Sequence, residues 1–115
     1  MTYKTALAAV VLTALATTAQ AHTKADKNQP TDGATVTDVP EITLAFDDPM
    51  RVISIVLKRD ADEVAVDRET GMDPVTAFRV TPAEPLTPGA YAVEWRGMGA
   101  DGHPMQGGFA FTVAE

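Results

Sequence analysis

The feature that most constrains this chain is an apolar period of two. Ile42, Leu44 and Phe46 alternate with Thr43 and Ala45, and Thr76, Phe78 and Val80 repeat the pattern. Tyr91, Val93 and Trp95 point one way while Ala92, Glu94 and Arg96 point the other, and Phe109, Phe111 and Val113 close the chain. Side chains two apart share a face only in extended backbone, so each run predicts a half-buried strand. "RVISIVLKR" is almost continuously apolar and reads as a strand covered on both sides. "EVAVD" reads as a short strand of its own. Turn signals separate the runs: Asp32-Gly33, then Gly71-Met72-Asp73-Pro74, then the proline-held "TPAEPLTPGA". Beyond residue 21 no stretch has helical periodicity. About seven short strands between turns predict an all-β domain, a two-sheet antiparallel β-sandwich in preference to a small barrel.

Residues 1–21 stand outside this pattern. Lys4 gives a short positive region, Ala6 to Ala19 is apolar and uncharged, and Ala19-Gln20-Ala21 has the small–x–small form of a cleavage site. The apolar run is too short and alanine-rich to span a membrane. The chain has no cysteine, so a lipid anchor at the cut is excluded. The expectation is a secretory signal peptide over residues 1–21, cut after Ala21, and one domain over residues 22–115. About 94 residues suffice for a packed core without disulfides. The formal net charge of −7 argues against a nucleic-acid partner, which calls for a basic stripe.

The cut would make His22 the first residue. Its α-amine, with a pKa of roughly 8, and its imidazole could then close one chelate ring on a metal ion, as no internal histidine can. Nitrogen donors in a tetragonal arrangement suit Cu(II). The other of the two histidines lies in "GADGHPMQGG". Asp101 and His103 are two apart, so in extended backbone both side chains project to one side. There the carboxylate either grips a metal together with the imidazole or orients the ring. The blander alternative is an Asp-Gly turn followed by an exposed histidine.

"AH" at the cut, "QPTDGATVTDVPEITLAF" and "VTPAEPLTPGAYAVEWRGMGADGHPMQGGFAFTV" together resemble the CopC family of periplasmic copper-binding proteins. The resemblance spans the mature chain, and its most specific parts are the terminal histidine, the L-T-P-G-x-Y-x-V-x-W-R strand and the D-G-H-P turn. It implies an immunoglobulin-like sandwich that binds one Cu(II) through a histidine brace and a carboxylate. The implied ligands fall on His22, Asp101 and His103. It also implies a monomeric, non-enzymatic copper carrier or buffer in the periplasm, serving copper resistance or homeostasis, with an inner-membrane copper-transporting protein as partner.

The chain departs from the family at several points. "HTKAD" stands where many members place leucine soon after the first histidine. The family's acidic position after an F-S pair falls in "FDDP", on Asp47 or Asp48. Some members hold Cu(I) in a methionine-rich loop, but here Met50, Met72, Met98 and Met105 are scattered singly. Met72 lies in the comparable loop, and Met98 and Met105 flank the D-G-H turn as packing residues. The expectation is therefore a Cu(II)-only variant. Asp60, Asp62, Glu63, Asp67 and Glu69 lack calcium-loop order and read as a solvated hairpin. Two rivals remain: a histidine-brace copper oxidase or monooxygenase, for which the chain lacks long loops, and a metal-free immunoglobulin-like interaction module.

Overall fold

The computed structural model describes residues 27–115. The expected leader and His22 lie outside the described residues. Eight strands follow in order: β1 Lys27–Gln29, β2 Thr35–Val36, β3 Ile42–Arg59, β4 Asp62–Val64, β5 Val66–Arg68, β6 Val75–Pro82, β7 Gly89–Gly99 and β8 Pro104–Val113. No helix occurs among the described residues. The chain is all-β, as its periodicity requires.

The long strand β3 organises the rest. Hydrogen bonding runs continuously in the order β2-β8-β7-β3-β6-β5, with β1 and β4 also on β3. The first part of β3, Ile42 to Ala45, lies between β1 and β6. Its second part pairs with β7 from Met50 to Arg59 and with β4 at the far end. Exposed Asp47, Asp48 and Pro49 separate the two parts, where the β3–β6 register shifts. One sheet thus curls on itself and places Ile42, Leu44, Phe78 and Val80 in the same core as Val52, Leu57, Val93, Trp95 and Phe111. Phe46 meets Trp95 edge-on at 5.2 Å between ring centroids. Each such fully buried large side chain contributes about 1.5–3 kcal/mol, which explains how a chain without cysteine holds together.

Two details differ from the sequence expectation. "RVISIVLKR" is covered on one face, not both: Val52 and Leu57 are buried, while Ile53 is 49% exposed. Buried residues five apart violate strict alternation, and the register shift between Val52 and Ser54 is the cause. That extra residue resets which side chains face inward. "EVAVD" is two strands, because the chain changes partners at Ala65. β4 pairs with the end of β3, and β5 pairs with β6. The pairing is antiparallel except for β2, whose two residues run parallel to β8.

The last hairpin carries the site. β7 buries Tyr91, Val93 and Trp95, and β8 buries Phe109, Phe111 and Val113. The Tyr91 hydroxyl donates to the Thr87 carbonyl and its ring stacks on Phe111 at 5.4 Å. A tyrosine bonded to backbone a few residues upstream is the tyrosine corner of β-sandwiches, and it fixes where β7 begins. β7 and β8 then stay in register to the pair Met98 and Pro104, so the turn that joins them stands on a rigid base.

Candidate metal centre

The turn between β7 and β8 is closed by its own backbone. The Gly102 N–H donates to the Gly99 carbonyl at 2.9 Å, and the Gly99 N–H donates to the His103 carbonyl at 2.9 Å. Gly102 has φ of 83°, a conformation that a β-carbon disfavours. Asp101 and His103 therefore meet across a turn and not, as the spacing suggested, along an extended strand.

Both carboxylate oxygens of Asp101 engage His103. Oδ1 accepts the His103 backbone N–H at 3.1 Å, and Oδ2 lies 2.7 Å from Nδ1. The hydrogen bond from His103 holds the Asp101 carboxyl below its ordinary pKa. The hydrogen bond to Asp101, reinforced by its charge, holds the imidazole above its own. An ionised carboxylate at Oδ2 can only accept, so the neutral ring carries its proton on Nδ1 and its lone pair on Nε2. The side chain of His103 is 78% exposed and that of Asp101 65%. Of the two roles the spacing leaves to Asp101, this geometry is that of the ring-orienting partner.

Around the pair, Asp48, Met50 and Met105 line the same concavity as Asp101. Sequence reading left the acidic position open between Asp47 and Asp48. The signal was the Asp-Asp-Pro interruption of an alternating strand, which marks the place where β3 changes partners. Met105 is half-buried and turned towards Gly99, whereas Met98 is 40% exposed and Met72 sits apart on the β5–β6 connection. Asp60, Asp62, Glu63, Asp67 and Glu69 are exposed, and no group of three or more His, Cys, Asp or Glu among the described residues could hold a metal ion. The described chain offers the Asp101–His103 pair. His22 lies outside the described residues.

The family model described as the CopC domain matches residues 25–114. Copper resistance protein C of Pseudomonas syringae pv. tomato is 32% identical over 105 residues, covering 83% of this chain and 82% of the relative. Among solved structures, PcoC, a methionine-rich copper resistance protein from Escherichia coli, superposes with a TM-score of 0.66 at 28% identity, covering 82% of this chain and all of its own. CopC from Methylosinus trichosporium OB3b, at 22% identity, shares the fold with a TM-score of 0.68 over 80% of this chain and 93% of its own. With nearly all of the described residues inside the family match, the chain belongs to the CopC family.

Proposed function

We propose that the chain is exported, cut after Ala21, and binds one Cu(II) as a periplasmic copper carrier or buffer in copper resistance or homeostasis. The ligands in this reading are the α-amine and imidazole of His22 and Nε2 of His103, with the Asp101 carboxylate orienting that ring through Nδ1. The observation that carries it is the Asp101–His103 pair, which leaves an exposed ring with Nε2 available at a rigid turn. A neutral imidazole whose other nitrogen donates to a carboxylate is the usual form of a metal-binding histidine.

The strand register supports the same reading. β1 runs antiparallel to β3 with its first residue, Lys27, opposite Ala45. Met50 is opposite Gly99, where the turn begins. His22 precedes Lys27 by five residues, and Met50 follows Ala45 by five. At roughly 3.3–3.6 Å per extended residue, the intervening chain is long enough to bring His22 level with the turn. The copper resistance proteins similar to this chain supply the metal, and a copper-transporting inner-membrane protein is the partner the reading entails.

Electron paramagnetic resonance of the chain beginning at His22, with one equivalent of Cu(II), tests the assignment. The expected spectrum is tetragonal with nitrogen hyperfine structure, and it changes in His103→Ala. An identical spectrum in that variant removes His103 from the site.

A further inference from the structure

We propose that the free edge of β8, with the groove above it, docks an extended acidic segment of a partner protein. The inference stands apart from the copper reading and needs no metal. Its starting point is the part of β8 that is already paired. From Ala110 onward the outer edge is covered: Asp32 Oδ1 accepts the Ala110 N–H at 3.0 Å, and the Ala110 carbonyl accepts the Gly33 N–H at 2.7 Å. Thr112 donates to the Ala34 carbonyl at 2.9 Å, and β2 pairs with Thr112 and Val113. Backbone groups alternate sides along a strand, so those of Gln106 and Gly108 point the same way as those of Ala110. No strand among the described residues pairs with them on that side, and both residues are exposed. Pro104 blocks only the start of this edge, and residues 105–114 carry no charge to guard the rest. Unpaired N–H and C=O groups in a row are what an added strand takes up.

The same stretch is bare of side chains. Gly107 and Gly108 are demanded from within the sheet: a β-carbon at residue 107 would stand 2.9 Å from the Trp95 indole, and one at residue 108 would stand 2.6 Å from the Val93 carbonyl oxygen. What they leave is a groove of about 610 Å³ across β3, β7 and β8, walled by Ser54, Val56, Glu94, Arg96 and Gln106. A second depression shares Ser54, Arg96 and Gln106 and runs past Ile53 to Pro104, which follows His103 directly. Of the two charges on these walls, Glu94 is engaged by Lys58 at 3.3 Å. Arg96 has no ion-pair partner among the described residues and is exposed. It is the groove's free charge, in a chain of net charge −7. Every second side chain of a strand added at Gly108 projects over the bare backbone towards the groove, where a carboxylate meets Arg96. The chain's own acidic strands are already paired, β4 with β3 and β5 with β6, so a separate protein supplies the segment. A partner bound in this way lies beside the turn that carries His103.

The test uses the metal-free chain beginning at His22 and a blocked peptide, Thr-Val-Thr-Glu-Thr-Val-Thr, followed by nuclear magnetic resonance and amide hydrogen exchange. In the protein alone the Gln106 and Gly108 amides should exchange rapidly at every protein concentration. The peptide should slow both and shift their resonances together with that of Arg96. Lysine in place of the peptide's glutamate should weaken binding about fivefold, and Arg96→Glu should invert that preference. Gln106→Pro removes an outward N–H that β7 does not use, so it should abolish peptide binding with the circular dichroism spectrum unchanged. Amides already protected in the protein alone would mean that the edge is covered. Protection that grows with protein concentration would give the edge to a second copy of the chain. Either result overturns the proposal, as do edge amides that the peptide leaves unmoved or a glutamate preference that survives Arg96→Glu. The wild-type exchange rates and Arg96→Glu decide the matter even where Gln106→Pro fails to fold.

Discussion

Two connections in this molecule look alike in sequence and do opposite things in the structure. Residues 69–74 join β5 to β6, and residues 100–103 join β7 to β8. Each contains glycine and aspartate and lies near a methionine. In the first, polar groups consume one another. Arg68 donates through Nε to the Thr70 carbonyl at 2.8 Å, and through one terminal nitrogen to the carbonyls of Gly71 and Val52. Its guanidinium lies 4.7 Å over the Phe78 ring, and Glu69 accepts from the Thr81 hydroxyl at 2.8 Å. The charge that reads as a binding feature is spent on holding a loop to the core. In the second connection backbone hydrogen bonds close the turn, and Asp101 engages only His103, accepting its backbone N–H and holding a ring that is otherwise exposed. A charged loop is a candidate site when its donors remain after the loop has satisfied itself.

The contrast can be broken most decisively outside both loops. If the α-amine of His22 is a ligand, one alanine retained before His22 removes the chelate while sparing every described residue. Cu(II) affinity should fall by several orders of magnitude with the circular dichroism spectrum unchanged, and a chelator competition that shows equal affinity would reduce the opening histidine to a cleavage-site neighbour. Arg68→Met comes next and should act on stability alone. Methionine keeps much of the aliphatic stem but loses charged hydrogen bonds, each worth about 1.5–3 kcal/mol, and the cation–π contact. A loss of roughly 2–3 kcal/mol in urea unfolding is expected, partly because some of those bonds are solvent-exposed, with Cu(II) affinity unaltered. Asp101→Asn is the converse. It should leave the unfolding midpoint nearly in place and cost ~10–100-fold in Cu(II) affinity. Were Arg68→Met to alter copper binding, or Asp101→Asn to unfold the domain, the two loops would not be separable as described.

What was legible beforehand follows from the range of the physics involved. Alternation decides which side chains face inward, so the core residues of β3, β6, β7 and β8 could be read directly from spacing. Where the period fails, sequence misleads: the bulge after Val52 and the partner change at Ala65 depend on contacts with strands far along the chain. The Asp101–His103 pair was visible as a spacing, but its geometry was not, because a turn with Gly102 at positive φ joins the two residues differently from a strand. The surroundings of Met105 were hidden for the same reason. Its neighbours in sequence are Pro104 and Gln106, and only the β7–β8 pairing sets its sulfur beside Gly99.

The smallest expected effect sharpens the comparison most, because it isolates what Asp101 does to His103. The imidazole pKa is raised by the hydrogen bond to Asp101 and by its charge, and the Asp101 carboxyl is lowered by the same bond. In the metal-free protein the pair therefore favours the folded state between the two unfolded values, about 3.9 for the carboxyl and 6.5 for the ring. The contribution fades as pH rises through the raised His103 value and as it falls through the lowered Asp101 value. Copper reverses the demand on the ring, since Nε2 must give up its proton to bind. Protons then compete with Cu(II) up to a higher pH than at an ordinary histidine, and affinity should begin to fall earlier on acidification. In Asp101→Asn the ring should titrate near 6.5, so the onset moves to lower pH. The advantage of the wild type in Cu(II) affinity should be widest in alkaline solution and narrow as pH drops. Following the His103 ring resonances of the metal-free protein against pH checks the first half, and Cu(II) competition at several pH values checks the second. A His103 midpoint that Asp101→Asn leaves unmoved would mean that the 2.7 Å contact does not persist in solution, and the role given to Asp101 would pass to water.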